Sequence, residues 1–258
     1  MNKLASFFLL LVLIITTLLF YFLNQRVLKE ENIKMCDSMT SQNLRIMCYS
    51  FFLKDLDKCM LTGASYPFCV DFVISNIEIN ETFCKNLEGY PRSSCVVALA
   101  LKHKNPNDCY LLNEYENRQN CYFYVSRYIN FLNINEDFCK DIKEESLRFT
   151  CLAMLKNDDK ICENITLEYF EKPICYAVIR KEKSYCLDSS TDKNTCLFKL
   201  ALQTKNHILC YEIDSEILKP ECLILLRNDK KICEEMNGSW RDYCKLNYLR
   251  LERLGFVK

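Results

Sequence analysis

The feature that most narrows the folds open to this chain is the placement of its 18 cysteines. They stand at Cys36, Cys48, Cys59, Cys69, Cys84, Cys95, Cys109, Cys121, Cys139, Cys151, Cys162, Cys175, Cys186, Cys196, Cys210, Cys222, Cys233 and Cys244. Taken alternately, the first of each pair recurs after 23, 25, 25, 30, 23, 24, 24 and 23 residues. A repeat of this period marks a stacked array of supersecondary units, here nine of them.

Four residues before each first cysteine stand Asn32, Asp55, Asn80, Asn105, Asn135, Asp158, Glu182, Asn206 and Asp229. Asn and Asp are the side chains that best accept from the free N–H groups of a helix start. Each first cysteine therefore falls in the second turn of a capped helix, predicted to run about 8 to 10 residues. Three residues on, Met39, Leu87, Leu112, Ile142, Ile165, Ile213 and Met236 share the face of the sulfur. The second cysteine begins another apolar stripe. One residue beyond it are Tyr49, Val70, Val96, Tyr122, Leu152, Tyr176, Leu197 and Leu223, and four beyond it Phe52, Val73, Leu99, Val125, Leu155, Ile179, Leu200, Leu226 and Tyr248. That spacing predicts a second helix in every unit. Pro106 follows a cap, and Pro67, Pro91, Pro173 and Pro220 lie two or four residues before a second cysteine, where a helix start tolerates them.

Two nearest-neighbour pairings of the sulfurs are open. Bridges within each hairpin use all 18 cysteines, whereas bridges to the following unit leave Cys36 and Cys244 alone. Antiparallel geometry favours the first scheme, with both cysteines about one turn from the bend. The expected fold is all-α: residues 32–258 form a curved α-solenoid of nine disulfide-stapled hairpins, an elongated rod. Its last helix, with Arg241, Lys245, Asn247, Arg250, Glu252 and Arg253, reads as a solvated terminal cap.

Residues 1–31 read as a membrane anchor and short linker. Leu4 to Leu23 carry no charge, and twenty helical residues span a bilayer core of roughly 30 Å. The positive charges flanking this run do not fix its orientation. An even and large cysteine count suits an oxidising compartment, so the expected topology is a single-pass protein with a cytoplasmic N-terminus and an extracytoplasmic repeat domain.

Composition removes other classes. Lys+Arg and Asp+Glu both number 34, which gives no electrostatic reason to expect nucleic acid. No Cys-x-x-Cys occurs, and His103 and His207 lie far from any ligand pattern, so neither a metal nor another cofactor is expected. The acidic pairs Glu144-Glu145, Asp158-Asp159 and Glu234-Glu235 read as caps and solvated helix starts rather than catalytic dyads. No catalytic residue is singled out and no small-molecule substrate is evident.

The fourth unit is 30 residues long and rich in aromatics. Tyr110, Tyr115, Tyr124 and Tyr128 are candidate partner contacts, against the plainer expectation that a longer second helix needs more core. Asn80, Asn164 and Asn237 match the N-glycosylation acceptor pattern.

Units such as Asn105-Pro-Asn-Asp-Cys109 and Cys196-Leu-Phe-Lys-Leu200 resemble the cysteine-paired helical repeats of uncharacterised archaeal surface proteins. In plan they are similar to TPR-like and Sel1-like hairpin solenoids, although the period is well below 34 residues. The functional expectation is a non-enzymatic, membrane-anchored scaffold that binds a protein or envelope partner. A structural envelope component and a thiol–disulfide redox protein are the alternatives.

Overall fold

A computed structural model describes residues 12–19, 33–132, 134–166, 172–187 and 192–258, and among these every regular element is helical. The second helix of each unit is the longer one. We number these α1 (Gln42–Leu53), α2 (Tyr66–Asn76), α3 (Gly89–His103), α4 (Tyr115–Ser126), α5 (Glu145–Lys156), α6 (Lys172–Arg180), α7 (Lys193–Thr204), α8 (Leu218–Arg227) and α9 (Gly238–Arg253).

The first helix of each unit is shorter than the caps predict. Glu81–Lys85, Pro106–Leu111, Glu136–Asp141, Asp159–Asn164, Lys183–Leu187, Ile208–Tyr211 and Lys230–Glu235 are one or two turns each, and four of the seven are 3₁₀ helices. Only Asp57–Ser65 is longer, and it breaks at Gly63. The reason is a tight turn around the cysteine. The N–H three residues on returns to the cysteine carbonyl at Met39 (3.2 Å), Leu87 (3.3 Å), Leu112 (3.1 Å), Ile142 (3.4 Å), Ile165 (3.1 Å), Ile213 (3.2 Å) and Met236 (3.3 Å). In such a turn residues i and i+3 eclipse, so the sulfur and the apolar side chain enter the core together.

Asn and Asp do cap these turns. The side chains of Asp55, Asn80, Asn105, Asn135, Asp158, Asn206 and Asp229 each accept from a backbone N–H two or three residues ahead. The predicted cap Asn32 lies outside the described residues. Immediately before six of the cap positions the chain is left-handed, at Lys54, Lys104, Asn157, Lys181, Lys205 and Asn228. This residue closes the preceding long helix: the N–H of Asn105, for example, reaches back to the Ala100 carbonyl at 2.9 Å, the pattern of a helix C-terminal motif. One joint thus ends a long helix and starts the next short turn.

A further repeated contact has its donor three residues before the second cysteine. Arg45, Arg118, Arg148 and Arg241 donate to the carbonyls of Met39, Leu112, Ile142 and Met236 at 3.0 to 3.2 Å. Those carbonyls terminate the tight turns, and the guanidinium supplies the partner that the helix cannot.

The nine disulfides are Cys36–Cys48, Cys59–Cys69, Cys84–Cys95, Cys109–Cys121, Cys139–Cys151, Cys162–Cys175, Cys186–Cys196, Cys210–Cys222 and Cys233–Cys244. Every bridge lies within its own unit. Each sulfur residue is at most 1% exposed, and none of the 18 is free.

Successive long helices pack on one another in chain order, and α9 then packs on α1 and α2 as well as on α8. The array therefore closes on itself, in place of the expected open rod with a solvated end. At the seam the buried Asp242 carboxylate accepts from Thr40 N at 2.8 Å and Thr40 Oγ1 at 2.9 Å. Phe72 of α2 meets Tyr243 of α9 edge to face, with ring centroids 6.2 Å apart. Asn247, expected on a wet outer face, is 0% exposed, and neither of its amide atoms has a hydrogen-bond partner. Polar residues on the last helix mark a seam here, which composition alone does not distinguish from a cap.

The added length of the fourth unit does not extend its helix, since α4 has the same 12 residues as α1 and α5. It forms instead a separate turn, Ile129–Phe131, whose Phe131 packs on Phe256 at 5.7 Å. Residues 12–19 are helical and their apolar side chains are about half exposed. The rest of the expected anchor lies outside the described residues, among which no helix is long and apolar enough to cross a membrane.

Candidate functional site

Closure of the array brings three charged side chains from separate helices to one place: Asp71 of α2, Glu221 of α8 and Arg250 of α9. Asp71 accepts from Ser94 Oγ at 2.6 Å and from the Tyr90 hydroxyl at 3.1 and 3.2 Å, both on α3. Glu221, buried, accepts from the Tyr128 hydroxyl at 2.5 Å. Arg250 makes no ion pair within 4.0 Å with a carboxylate of the described residues, unlike the surface pairs such as Arg180–Asp159 at 2.7 Å.

Burial dominates the electrostatics. It pushes the Asp71 carboxyl up, against the opposing pull of Arg250, Ser94 and Tyr90. Burial raises the Tyr128 hydroxyl, aided by Glu221, and raises Tyr243 to about 12. For Arg250 burial works against the charge, but Tyr128, Asp71 and Glu221 together outweigh it and its pKa rises. The guanidinium remains a cation, part-buried at the wall of a cavity.

Beside this cluster lies a cavity of about 540 Å³ bounded by α2, α3, α4 and α9. Asp71 and Arg250 both line it, with Ser93 and Ser94 on one wall and Asn117, Asn120, Phe123 and Tyr124 on another. A smaller cavity of about 80 Å³ continues past Arg250 to Tyr128 and Glu221. Nothing in the repeat pattern signals this space, because it is assembled by side chains from four units.

The aromatic candidates of the fourth unit divide. Tyr110, Tyr115 and Tyr124 are 46%, 49% and 42% exposed. Each lies beneath a cation, Arg118 over Tyr110 at 5.2 Å, Lys143 over Tyr115 at 4.9 Å and Arg127 over Tyr124 at 5.8 Å. Tyr110 also donates to Asp141. Phe123, not among the candidates, is exposed on α4 with Tyr115 and Tyr124. Tyr128 is a correction: it is 3% exposed, stacked on Phe256 at 4.8 Å and bonded to Glu221. It belongs to the interior and offers no partner contact.

The remaining candidates are placed as follows. Asn80, Asn164 and Asn237 are exposed; Asn80 is also the cap that accepts from Phe83 N at 2.8 Å. His103 meets Asp108 at 2.7 Å on the surface, and His207 is exposed. Each acidic pair has structural partners: Glu144 caps α5, Glu145 accepts from Thr166, and Glu234 and Glu235 pair with Lys245 and Arg227. Among the described residues no group of three or more His, Cys, Asp or Glu is arranged to hold a metal ion.

Compared with models of protein families, with characterised proteins and with solved structures, the chain matches none.

Proposed function

We propose that this chain is an extracytoplasmic helical-repeat scaffold, held to a membrane by its apolar N-terminal run, that binds a protein or envelope partner without catalysis. The observation that carries the reading is the set of nine fully buried bridges with no thiol left over. A disulfide set of this density persists in oxidising compartments and not in a reducing cytosol. The fold is a solenoid in its repeat logic, closed by its last unit, and on this reading belongs with the cysteine-paired surface repeats it resembles. Half-exposed Val12, Leu13, Ile14, Ile15, Leu18 and Leu19 suit a segment that lipid covers.

Redox function is the weaker alternative. A catalytic pair needs an accessible, low-pKa thiol, and no sulfur here is more than 1% exposed. The partner-facing surface on this reading is the exposed aromatic row of the fourth unit, Tyr110, Tyr115, Phe123 and Tyr124. Aromatic rings next to cations are the residue types enriched at interfaces.

Two measurements test the proposal. Alkylation of intact cells with a membrane-impermeant reagent, before and after denaturation and reduction, should find all 18 cysteines blocked; reduced thiols on freshly extracted protein would end the compartment assignment. Cross-linked capture from solubilised membranes with wild type and with Y115S/F123S should lose the partner in the variant. Undiminished capture would remove the aromatic row.

A further inference from the structure

The cavity between α2, α3, α4 and α9 shares Phe123 and Tyr124 with the aromatic row, but its charged lining gives it a chemistry of its own. Its volume of about 540 Å³ lies within the range of small-molecule sites. It contains one carboxylate and one guanidinium. Asp71 and Arg250 influence each other's ionisation, yet no N···O contact within 4.0 Å joins them. Of these two part-buried charges Asp71 is the costly one, since burial outweighs its partners there, whereas Tyr128, Asp71 and Glu221 already favour the Arg250 cation.

Arg250 already meets the Tyr128 hydroxyl, and the hydrogen bonds made by each group leave further capacity. Asp71 Oδ1 takes Ser94 and Tyr90, while Oδ2 takes only Tyr90 at 3.2 Å. A carboxylate offers about four acceptor sites and a guanidinium five donors. We propose that this cavity binds a small dipolar ligand, a free amino acid or short peptide, with its carboxylate on Arg250 and its ammonium on Asp71. An α-amino acid carries the two complementary charges a few ångströms apart, so one molecule neutralises both groups at once. A neutral polyol would offer no charge to either group. Val97, Ala98, Leu101 and Leu254 give an apolar floor for a side chain, and exposed Asn120, Phe123 and Tyr124 mark the mouth.

The proposal goes beyond the scaffold reading and stands without it, since the charged groups that would hold the ligand are Asp71 and Arg250, although Phe123 and Tyr124 serve both the cavity mouth and the aromatic row. Isothermal titration of the full chain in detergent, disulfides intact, with the free L-amino acids and a set of alanyl dipeptides tests it. At least one probe should bind with Kd below 1 mM, and at least tenfold more tightly than its N-acetylated or carboxamide counterpart. R250Q and D71N should each weaken that probe tenfold or more. S93F, which fills the cavity wall and leaves both charges in place, should abolish binding while the helical circular dichroism is retained. Y115S, a test of the scaffold reading, should leave the probe's affinity unchanged. No dipolar probe binding below 1 mM, equal binding of the blocked counterparts, or full binding by S93F would each overturn the assignment.

Discussion

Replacing Cys84 and Cys95 together with alanine isolates what one staple contributes. The bridge closes a loop with a sequence separation of 11, which on the chain-entropy model removes about 3 kcal/mol of unfolded-state freedom. Loss of two buried sulfur atoms adds packing cost of about 1 kcal/mol each, for a total of about 3 to 5 kcal/mol. The short helix that Cys84 anchors, Glu81–Lys85, has five residues and cannot persist alone in water. Guanidinium unfolding followed at 222 nm should show the midpoint falling by roughly 0.5–1 M. The nine loops are sequential and none is nested, so the same arithmetic repeated gives about 25 kcal/mol for the whole set, more than the roughly 5–15 kcal/mol net stability of a typical domain. A fully reduced and alkylated chain should therefore lose its cooperative transition. A midpoint shift under about 0.1 M in the double variant, or a reduced chain that melts like the native one, would refute this account of the staples.

Four further outcomes are expected. Asp242→Ala removes a buried charged acceptor from Thr40 and should cost about 1.5–3 kcal/mol, read as a lower unfolding midpoint; an unchanged midpoint would mean that the seam does not depend on it. Asn247→Leu replaces a buried amide that has no partner and should stabilise by about 1–2 kcal/mol, which differential scanning calorimetry would register as a higher Tm. Lys205 sits at φ 54, and Lys205→Gly should gain about 0.5–1 kcal/mol by relieving left-handed strain; destabilisation would contradict the joint described above. Because burial raises the Asp71 carboxyl, the native state holds its proton to higher pH than the unfolded chain does. Its contribution is complete below the unfolded value near 3.9 and is lost as pH rises through the folded value. The stability difference between D71N and wild type should thus move in the variant's favour from pH 4 to pH 7, and a difference moving the other way would show that Arg250 outweighs burial.

The sequence made legible whatever a single repeat determines. Cysteine spacing predicts helix pairs, and the Asn or Asp four residues ahead marks the start of each short turn, because capping and local bridging depend on residues within about 13 positions. The first helix is shorter than its cap predicts for a local reason as well: a capped start says where a helix begins, while the tight turn at the cysteine decides where it stops. The guanidinium clamps of Arg45, Arg118, Arg148 and Arg241 were in plain view as an Arg three residues before the second cysteine, a period that goes unnoticed when only apolar positions are aligned. What belongs to the whole array was not legible. Tyr128 looks like other tyrosines of its unit until Glu221, 93 residues away, is known to face it. Likewise the polar flank of α9 reads as solvated until closure puts Asp242 against Thr40.

Closure also limits how such a gene can lengthen. In an open array, duplicating one 24-residue segment inserts a self-contained loop with its own covalent tie and disturbs little. Here an additional or missing segment would carry Asp242 past Thr40 and separate Arg250 from Asp71, although every bridge would still form. Tandem duplication, the ordinary route by which repeats multiply, is therefore blocked at the seam, and the number of units is as much a part of this molecule's design as the identity of any residue.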